Sequence, residues 1–598
     1  MNLSSIIPGR TIPLFLFAML IPYFASGAIN TGTSEVDKLH GLFNDHWELD
    51  MKRYPNWASR LGDRRYSQNW QDLSPEGFAE SETNNQRALT SLSEIDRSAL
   101  PDKDKVNYDL FKLKYEDRLS LQKFSPHLVP IGQRGGIQTL DQTADSIPLA
   151  SVRDFDDWLT RMSKIDILME QTIALMETGI KKGIVPPKAT MARIPAQIEK
   201  QIVKDPTKSL FYKPFIELPK EFSKADIARL QKNAQSLIRS KIVPAYEKLQ
   251  VYFNQTYYPA CRDSIGISEI PNGREYYKSL IKSFTTTDMT PDEVHDLGLK
   301  EVKRIRSEME SAIVESGFKG DFAAFVHFLR TDPQFYFDTP EELFEAYQAM
   351  SKRLDPKLVH LFTVLPRMPY GVKKIPDAIA PDTTTAYYSL PAADGSRAGY
   401  YYVNLYKPET RPKFEMEVLS VHESVPGHHM QLALQQELES LPNFRRYSGF
   451  TVFIEGWGLY SERLGYEMGL YKDPYSRFGQ LTYDMWRAVR LVVDTGMHYK
   501  GWSRQEAIDF FKLNAPKSEL DIINEIDRYI SWPGQALAYK IGQLKILALR
   551  QEAEDRLGEN FDLRRFHDTV LGNGSVPLYV LENFVREWID SELTNPTM

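Results

Sequence analysis

Apolar residues recur at helical spacing over most of the chain, a pattern that predicts a mainly α protein. Val36, Leu39 and Phe43 share one face, as do Val106, Leu110 and Leu113, with Phe111 and Tyr115 as a second i, i+4 pair. Polar turns such as Asn84-Asn85 are expected to join these first helices. Residues 126 to 150 hold Pro126, Pro130, Gly132, Gly135, Gly136 and Pro148, a breaker-rich loop of a length that often carries function. Helical spacing resumes over Val152 to Ile180 and Ser223 to Tyr257, and Pro259 to Pro271 reads as a joint. Thr290-Pro291-Asp292-Glu293 has the form of a helix-opening cap, with a helix running on toward Ser311.

Strand signals are scarce. The best is Ala398 to Leu405, rich in aromatic and β-branched residues and flanked by turn formers. Its edge is expected to be able to pair with an extended peptide. Directly after it, Phe414, Val418, Val421 and Val425 form one apolar stripe of a helix that begins at Thr410 or Pro412. Neither an internal repeat nor a low-complexity tract interrupts this order.

Composition narrows the class. The chain has 598 residues, 42% of them apolar and 12% aromatic, which suits a globular protein with a substantial core. A net charge of -7 gives no electrostatic footprint for nucleic acid. At the N-terminus, Arg10 precedes an apolar run from Ile12 to Phe24 and the small residues Ala25 to Ala28. This predicts a secretory signal over residues 1–28 and a periplasmic or secreted mature protein. The run is too short to span a bilayer, and Pro13 and Pro22 interrupt it, so no stable membrane insertion is expected after cleavage. Cys261 is the only cysteine; it excludes an internal disulfide, lies far from any lipid-attachment position and is expected to be buried and inert.

The candidate chemistry lies in His422 to Gln431, HESVPGHHMQ, which holds three of the eleven histidines and a glutamate directly after the first. Helical zinc hydrolases gather two imidazoles and a general base in this way. In an unbroken helix His428 would lie about 9 Å beyond His422 and on the far side, and His429 about 10.5 Å away. Pro426 has no N–H for the helix and displaces Val425 from the α region, while Gly427 permits a reversal. A two-residue bulge there would bring His428 to the ion held by His422, with His429 as the rival ligand. Glu455, inside the apolar run Phe450 to Leu464, is the natural third ligand, because a carboxylate buried there needs a partner. Glu462 is placed to orient a ligand histidine.

HESVPGHHMQ with EGWGLYSE and RYISWPGQALAYKIG resembles the bacterial family catalogued as domain of unknown function 885. More distantly it is similar to the helical gluzincin zinc peptidases with H-E-x-G-H, a likeness confined to the metal helices and the C-terminal third. The two-residue insertion is the departure from their pattern. That second resemblance implies a zinc site of His422, His428 and Glu455, with Glu423 as general base, and a large two-lobed helical fold. It also implies a tyrosine that stabilises the tetrahedral intermediate, Tyr539 first and Tyr529 second. From its helix, His498 is a further candidate donor to the oxyanion, and Arg487 or Arg490 a candidate clamp for a substrate carboxylate.

The expected organisation is a signal peptide (1–28), an N-terminal helical lobe (29–270) and a C-terminal metal-binding catalytic lobe (271–598). The expected activity is zinc-dependent hydrolysis of short peptides, exo- or endo-acting. The rival expectations are a secreted binding or scaffold protein with a vestigial metal site, and a zinc hydrolase of non-peptide amides or esters.

Overall fold

A computed structural model of the protein describes residues 33–377 and 380–594. The predicted signal segment lies outside the described residues. The chain is mainly helical, with one small three-stranded sheet. Among the described residues no helix is long and apolar enough to cross a membrane.

The helices start where the sequence supplies caps. Ser34 accepts the backbone N–H of Asp37 and opens α1 (Glu35–Arg53). Ser74 and Pro75 open α2 (Pro75–Ser93). This helix runs straight through Asn84-Asn85, where a turn is predicted from local propensity. Asn85 is buried against the neighbouring layer, so packing outweighs the weak helix preference of asparagine. α3 (Asp102–Gln122) completes the first layer. The predicted cap at Thr290 is a reciprocal capping box with Glu293, and it opens α7 (Pro291–Glu315), whose C-terminus lies a few residues past Ser311.

The apolar core divides elsewhere than at residue 270. One cluster joins Leu39, Phe43, Leu110 and Phe111 of α1 and α3 to residues spread from Val302 to Ile589. A second is built almost wholly from residues 131–261, around Trp158, Met169 and Tyr246. The helices of this second cluster are α4 (Val152–Met162), α5 (Ile165–Lys182) and α6 (Val243–Tyr252). Cys261 closes that cluster, 4% exposed, and burial pushes its thiol up to about 12, which leaves it unreactive.

The sheet has the order β1-β3-β2, with β1 (Tyr370–Lys374), β2 (Ala386–Ser389) and β3 (Gly399–Val403). β1 pairs parallel with β3, and β2 pairs antiparallel with it. The strand legible in the sequence is therefore the central one, with both edges already paired. The free edge expected on β3 is taken up by β1 and β2, whose own strand signals in the sequence are weak.

Candidate metal centre

α8 (Met416–Glu423) ends at the glutamate, and α9 (His428–Glu437) begins at the second histidine. The sequence suggests a bulge within one helix; the structure has a break between two. The Val425–Pro426 peptide is cis. The Gly427 N–H turns back to the Val421 carbonyl at 3.0 Å, and the His429 N–H to the Ser424 carbonyl at 3.0 Å. A Cβ on Gly427 would stand 1.9 Å from the His422 carbonyl oxygen, so only glycine fits this reversal. From α10 (Thr451–Leu464), Trp457 Nε1 donates to the Pro426 carbonyl at 2.8 Å and ties the break in place.

The break turns His422 and His428 onto one point. Their rings lie 4.8 Å apart, nearly perpendicular, and Glu455 of α10 meets both. Glu455 Oε2 is 3.4 Å from His428 Nε2 and 3.9 Å from His422 Nε2. The three ligand atoms all lie within 4.8 Å of one another. Glu455 Oε2 is buried without a hydrogen-bond partner among the described residues, a costly state for a carboxylate oxygen unless a cation completes it. Two imidazoles and a carboxylate suit zinc, with further coordination positions left for water or substrate. Behind the site, His422 Nδ1 lies 2.8 Å from Glu462 Oε1, and Arg487 Nη2 is 3.2 Å from the same oxygen. This fixes the ring that faces the centre through its other nitrogen.

Sequence reasoning missed Gly458, which the rings rest against. A Cβ there would stand 2.9 Å from His422 Cε1 and 3.1 Å from His428 Cε1. The signal was present: a glycine one turn after Glu455 in a strongly helical run.

Glu423 stands beside the triad on the wall of a cavity of about 310 Å³. Burial raises its pKa, as does Glu455, while His428, Arg487 and the Tyr388 backbone N–H act the other way. The net rise suits a general base at neutral pH. Residues Thr384 to Tyr388, which include the start of β2, form another wall. Tyr539 lies across from the triad, its ring 6.5 Å from that of His422, and its hydroxyl accepts from Arg528 Nη2 at 3.1 Å.

The model of a family described as "Bacterial protein of unknown function (DUF885)" matches residues 55–585. The chain belongs to the bacterial family DUF885. A crystal structure from Colwellia psychrerythraea, of a protein provisionally called a lipoprotein, is similar to it with a TM-score of 0.89 and 29% identity, over 94% of this chain and 100% of that one. A structure from Shewanella oneidensis, of a protein of unknown function also provisionally called a lipoprotein, has a TM-score of 0.68 at 17% identity. It covers 93% of this chain and 100% of that one, and shows the fold alone. No curated protein matches.

Other candidate residues of the DUF885 chain lie away from the cavity. His498, expected as an oxyanion donor, ends α11 (Pro474–His498) fully buried. Its Nδ1 accepts the Ile267 N–H at 3.1 Å, and its Nε2 lies 3.0 Å from the Tyr529 carbonyl. Both nitrogens are thus committed, Nδ1 to the joint after residue 259 and Nε2 to the backbone at Tyr529, and burial lowers the pKa to about 4. The expectation for His498 is corrected on this geometry. Asp494, one turn before it, accepts from the Tyr277 hydroxyl at 2.6 Å and the Gly534 N–H at 3.1 Å. The Tyr529 hydroxyl is occupied by Trp486 Nε1 at 2.9 Å and Arg490 Nε at 2.7 Å. His429, the rival ligand, faces the sheet: its Nδ1 is 2.8 Å from the Tyr388 hydroxyl, and its ring packs 4.7 Å from Tyr370.

Proposed function

We propose that this protein is an exported zinc-dependent peptidase that hydrolyses amide bonds of short peptides. One observation carries the reading: three ligand atoms of His422, His428 and Glu455 converge within 4.8 Å, beside a carboxylate that is not one of them. Zinc, when bound there, supplies a Lewis acid that polarises a carbonyl and makes water acidic enough to be a nucleophile near neutral pH. Glu423 takes a proton from the attacking water and passes it to the leaving amine. The Tyr539 hydroxyl, which accepts from Arg528 and so keeps its own proton free to donate, stabilises the developing oxyanion. An extended substrate fits along the outer edge of β2, where main-chain groups of Thr384 to Tyr388 border the cavity. Export is supported by the N-terminal apolar run and by a close structural neighbour being provisionally called a lipoprotein. The exported protein is then periplasmic or secreted, as the segment 1–28 leads one to expect.

The test combines metal analysis with a peptide-library digest of the purified full chain. One zinc per chain and cleaved peptides are expected. Glu423→Gln should retain the zinc and lose at least about 10²–10⁴-fold in turnover, the usual contribution of a general base. Absence of stoichiometric metal, or an unchanged Glu423→Gln enzyme, rejects the reading.

A further inference from the structure

The wall facing the triad is cationic beyond what its own carboxylates balance. Arg134, Arg487, Arg490 and Arg528 all line the cavity, and a guanidinium cannot shed its proton to escape burial. Arg487 is matched by Glu462. The other three share one carboxylate, Glu525 of α12 (Glu519–Ser531), at 3.4 Å from Arg134, 3.1 Å from Arg490 and 3.5 Å from Arg528. Burial works against charge on Glu525, yet the three arginines pull its carboxyl down to about 2, so it supplies one full negative charge. The nearby acid Asp527 is engaged by Arg193 and Arg504. Tyr529 and Tyr539 offer hydroxyl acceptors to Arg490 and Arg528 but no charge.

The donors are left over as well as the charge. Arg490 is 2% exposed, and its Nη1 has no hydrogen-bond partner among the described residues; nor has Arg528 Nε. Trp486 and Tyr539 hold the Arg490 guanidinium from ring faces at 4.9 and 4.4 Å, which fixes its plane without supplying an acceptor. Buried guanidinium groups with spare N–H bonds beside one cavity are suited to receive a carboxylate.

We propose that Arg490, Arg528 and Arg134 form a subsite for the free C-terminal carboxylate of the peptide, so that the enzyme removes short C-terminal fragments. This rests on the peptidase reading for the bond that is cut, but not for the binding of the carboxylate. Tyr539 neighbours both sites, its ring 6.5 Å from the His422 ring and 4.4 Å from the Arg490 guanidinium, so the two are at most about 11 Å apart. An extended peptide advances about 3.3–3.6 Å per residue, so the carboxylate lies within about three residues of the cleaved bond. Arg134 comes from the breaker-rich loop of the N-terminal half and lines the cavity, and that loop is held by its own contacts, as in Gln138 Nε2 to the Gly132 carbonyl at 2.7 Å.

The test is equilibrium binding of a fluorescein-labelled pentapeptide to the full-length Glu423→Gln protein, with zinc and after zinc removal. Three versions are compared: free acid, C-terminal amide, and the amide with glutamate as its last residue. The free acid should bind at least about 10-fold more tightly than either amide, with and without zinc. Arg134→Gln, on a partly exposed loop, should weaken the free acid several-fold and leave the plain amide unchanged; Arg490→Lys should do the same more strongly if it folds. Equal binding of free acid and plain amide overturns the subsite. Equal binding of the free acid and the glutamate amide overturns its assignment to the C-terminus. Cleavage of library peptides without acid–amide discrimination removes the subsite and keeps the peptidase; discrimination without any cleavage does the reverse.

Discussion

Two cavities of this chain look alike by inventory and differ in what they leave undone. The larger, about 400 Å³, lies between α1, α2 and α3 and offers His46, Asp50, Asp72, Trp70 and Arg118. The smaller, about 310 Å³, holds the candidate metal centre. In the larger one Asp50 is saturated: Lys114 reaches it at 2.7 Å and Arg118 at 2.8 Å, and these cations hold its carboxyl below the usual range although burial opposes them. His46 packs edge-on against Phe111 and Tyr115 and joins no ligand cluster. In the smaller one Glu455 Oε2 lacks a hydrogen bond, two imidazoles converge on it, and a row of arginines exceeds its counter-charges. The larger cavity also leaves Arg53 Nε and Trp70 Nε1 without hydrogen-bond partners among the described residues, so a site is marked less by volume or by single unsatisfied donors than by ligand atoms that folding gathers on one point.

The sharpest way to break this contrast is to remove one gathered group from each cavity. Glu455→Gln should lose zinc by more than the roughly 10–100-fold that follows loss of an outer partner, the size of effect expected for Glu462→Gln. Metal titration of the refolded and native proteins measures both. Asp50→Asn, by contrast, should leave zinc content and turnover unchanged and destabilise the chain by about 3 kcal/mol, because Lys114 and Arg118 are left facing each other without an anion. Urea unfolding measures that cost. A fall in zinc binding in Asp50→Asn, or none in Glu455→Gln, would erase the distinction.

What the sequence revealed follows the same line. His422, Glu423, His428 and Glu455 were legible because their chemistry is unusual in apolar helical runs and Pro426-Gly427 announces a break. The cap at Thr290 and the aromatic strand Gly399–Val403 were legible because each is a local signal. The misreadings are non-local. His498 sits on a helix buried on nearly every side, so a polar stripe there names no single face and cannot say which residue meets the cavity. Arg134 reaches the site from a loop almost 400 residues away in sequence from its partner Glu525, and no spacing rule connects them. β3 was seen without its neighbours, so an edge was assigned to a strand that has none free.

A second contrast lies within residues 271–598, between an acid held ionised and one that burial pushes toward its neutral form. Glu525 is driven below its ordinary range by three arginines; Asp494 has no cation and is pushed by burial up to about 7, although Tyr277 and Gly534 donate to it. Its folded pKa lies above the value of about 3.8 for an exposed aspartate, so the stability it contributes is complete below pH 4 and is lost as pH rises to 7. Both donors reach Oδ1, which an asparagine retains. Asp494→Asn should therefore lie about 1–3 kcal/mol below wild type near pH 4, where the new buried amide N–H bonds are the main difference, and should overtake it as pH rises to 8 and the wild-type carboxyl is forced to ionise. Urea unfolding of zinc-free protein at pH 4, 6 and 8 tests this; parallel curves would show that the carboxyl ionises in the folded state as freely as in the unfolded one.

The finest comparison is between the two adjacent histidines, His428 and His429, which a single residue of helix turns to opposite duties. His429 is 2% exposed, burial lowers its pKa to about 4, and its neutral ring shares a hydrogen bond with Tyr388 on β2. That contact ties the strand bordering Glu423 to the helix carrying His428, so His429 positions the wall without touching the centre. Tyr388→Phe removes the bond and little else. On the proposed reading it should cost about 1 kcal/mol of stability, keep one zinc per chain, and raise KM a few-fold while kcat stays close to wild type, because the proposed substrate path follows the strand, whereas Glu423 is contacted by the Tyr388 backbone N–H. His428→Gln in the same assay should lose the zinc. If Tyr388→Phe lost zinc instead, the ring of His429 would have to face the ion, and the partition between the two histidines would be the wrong way round.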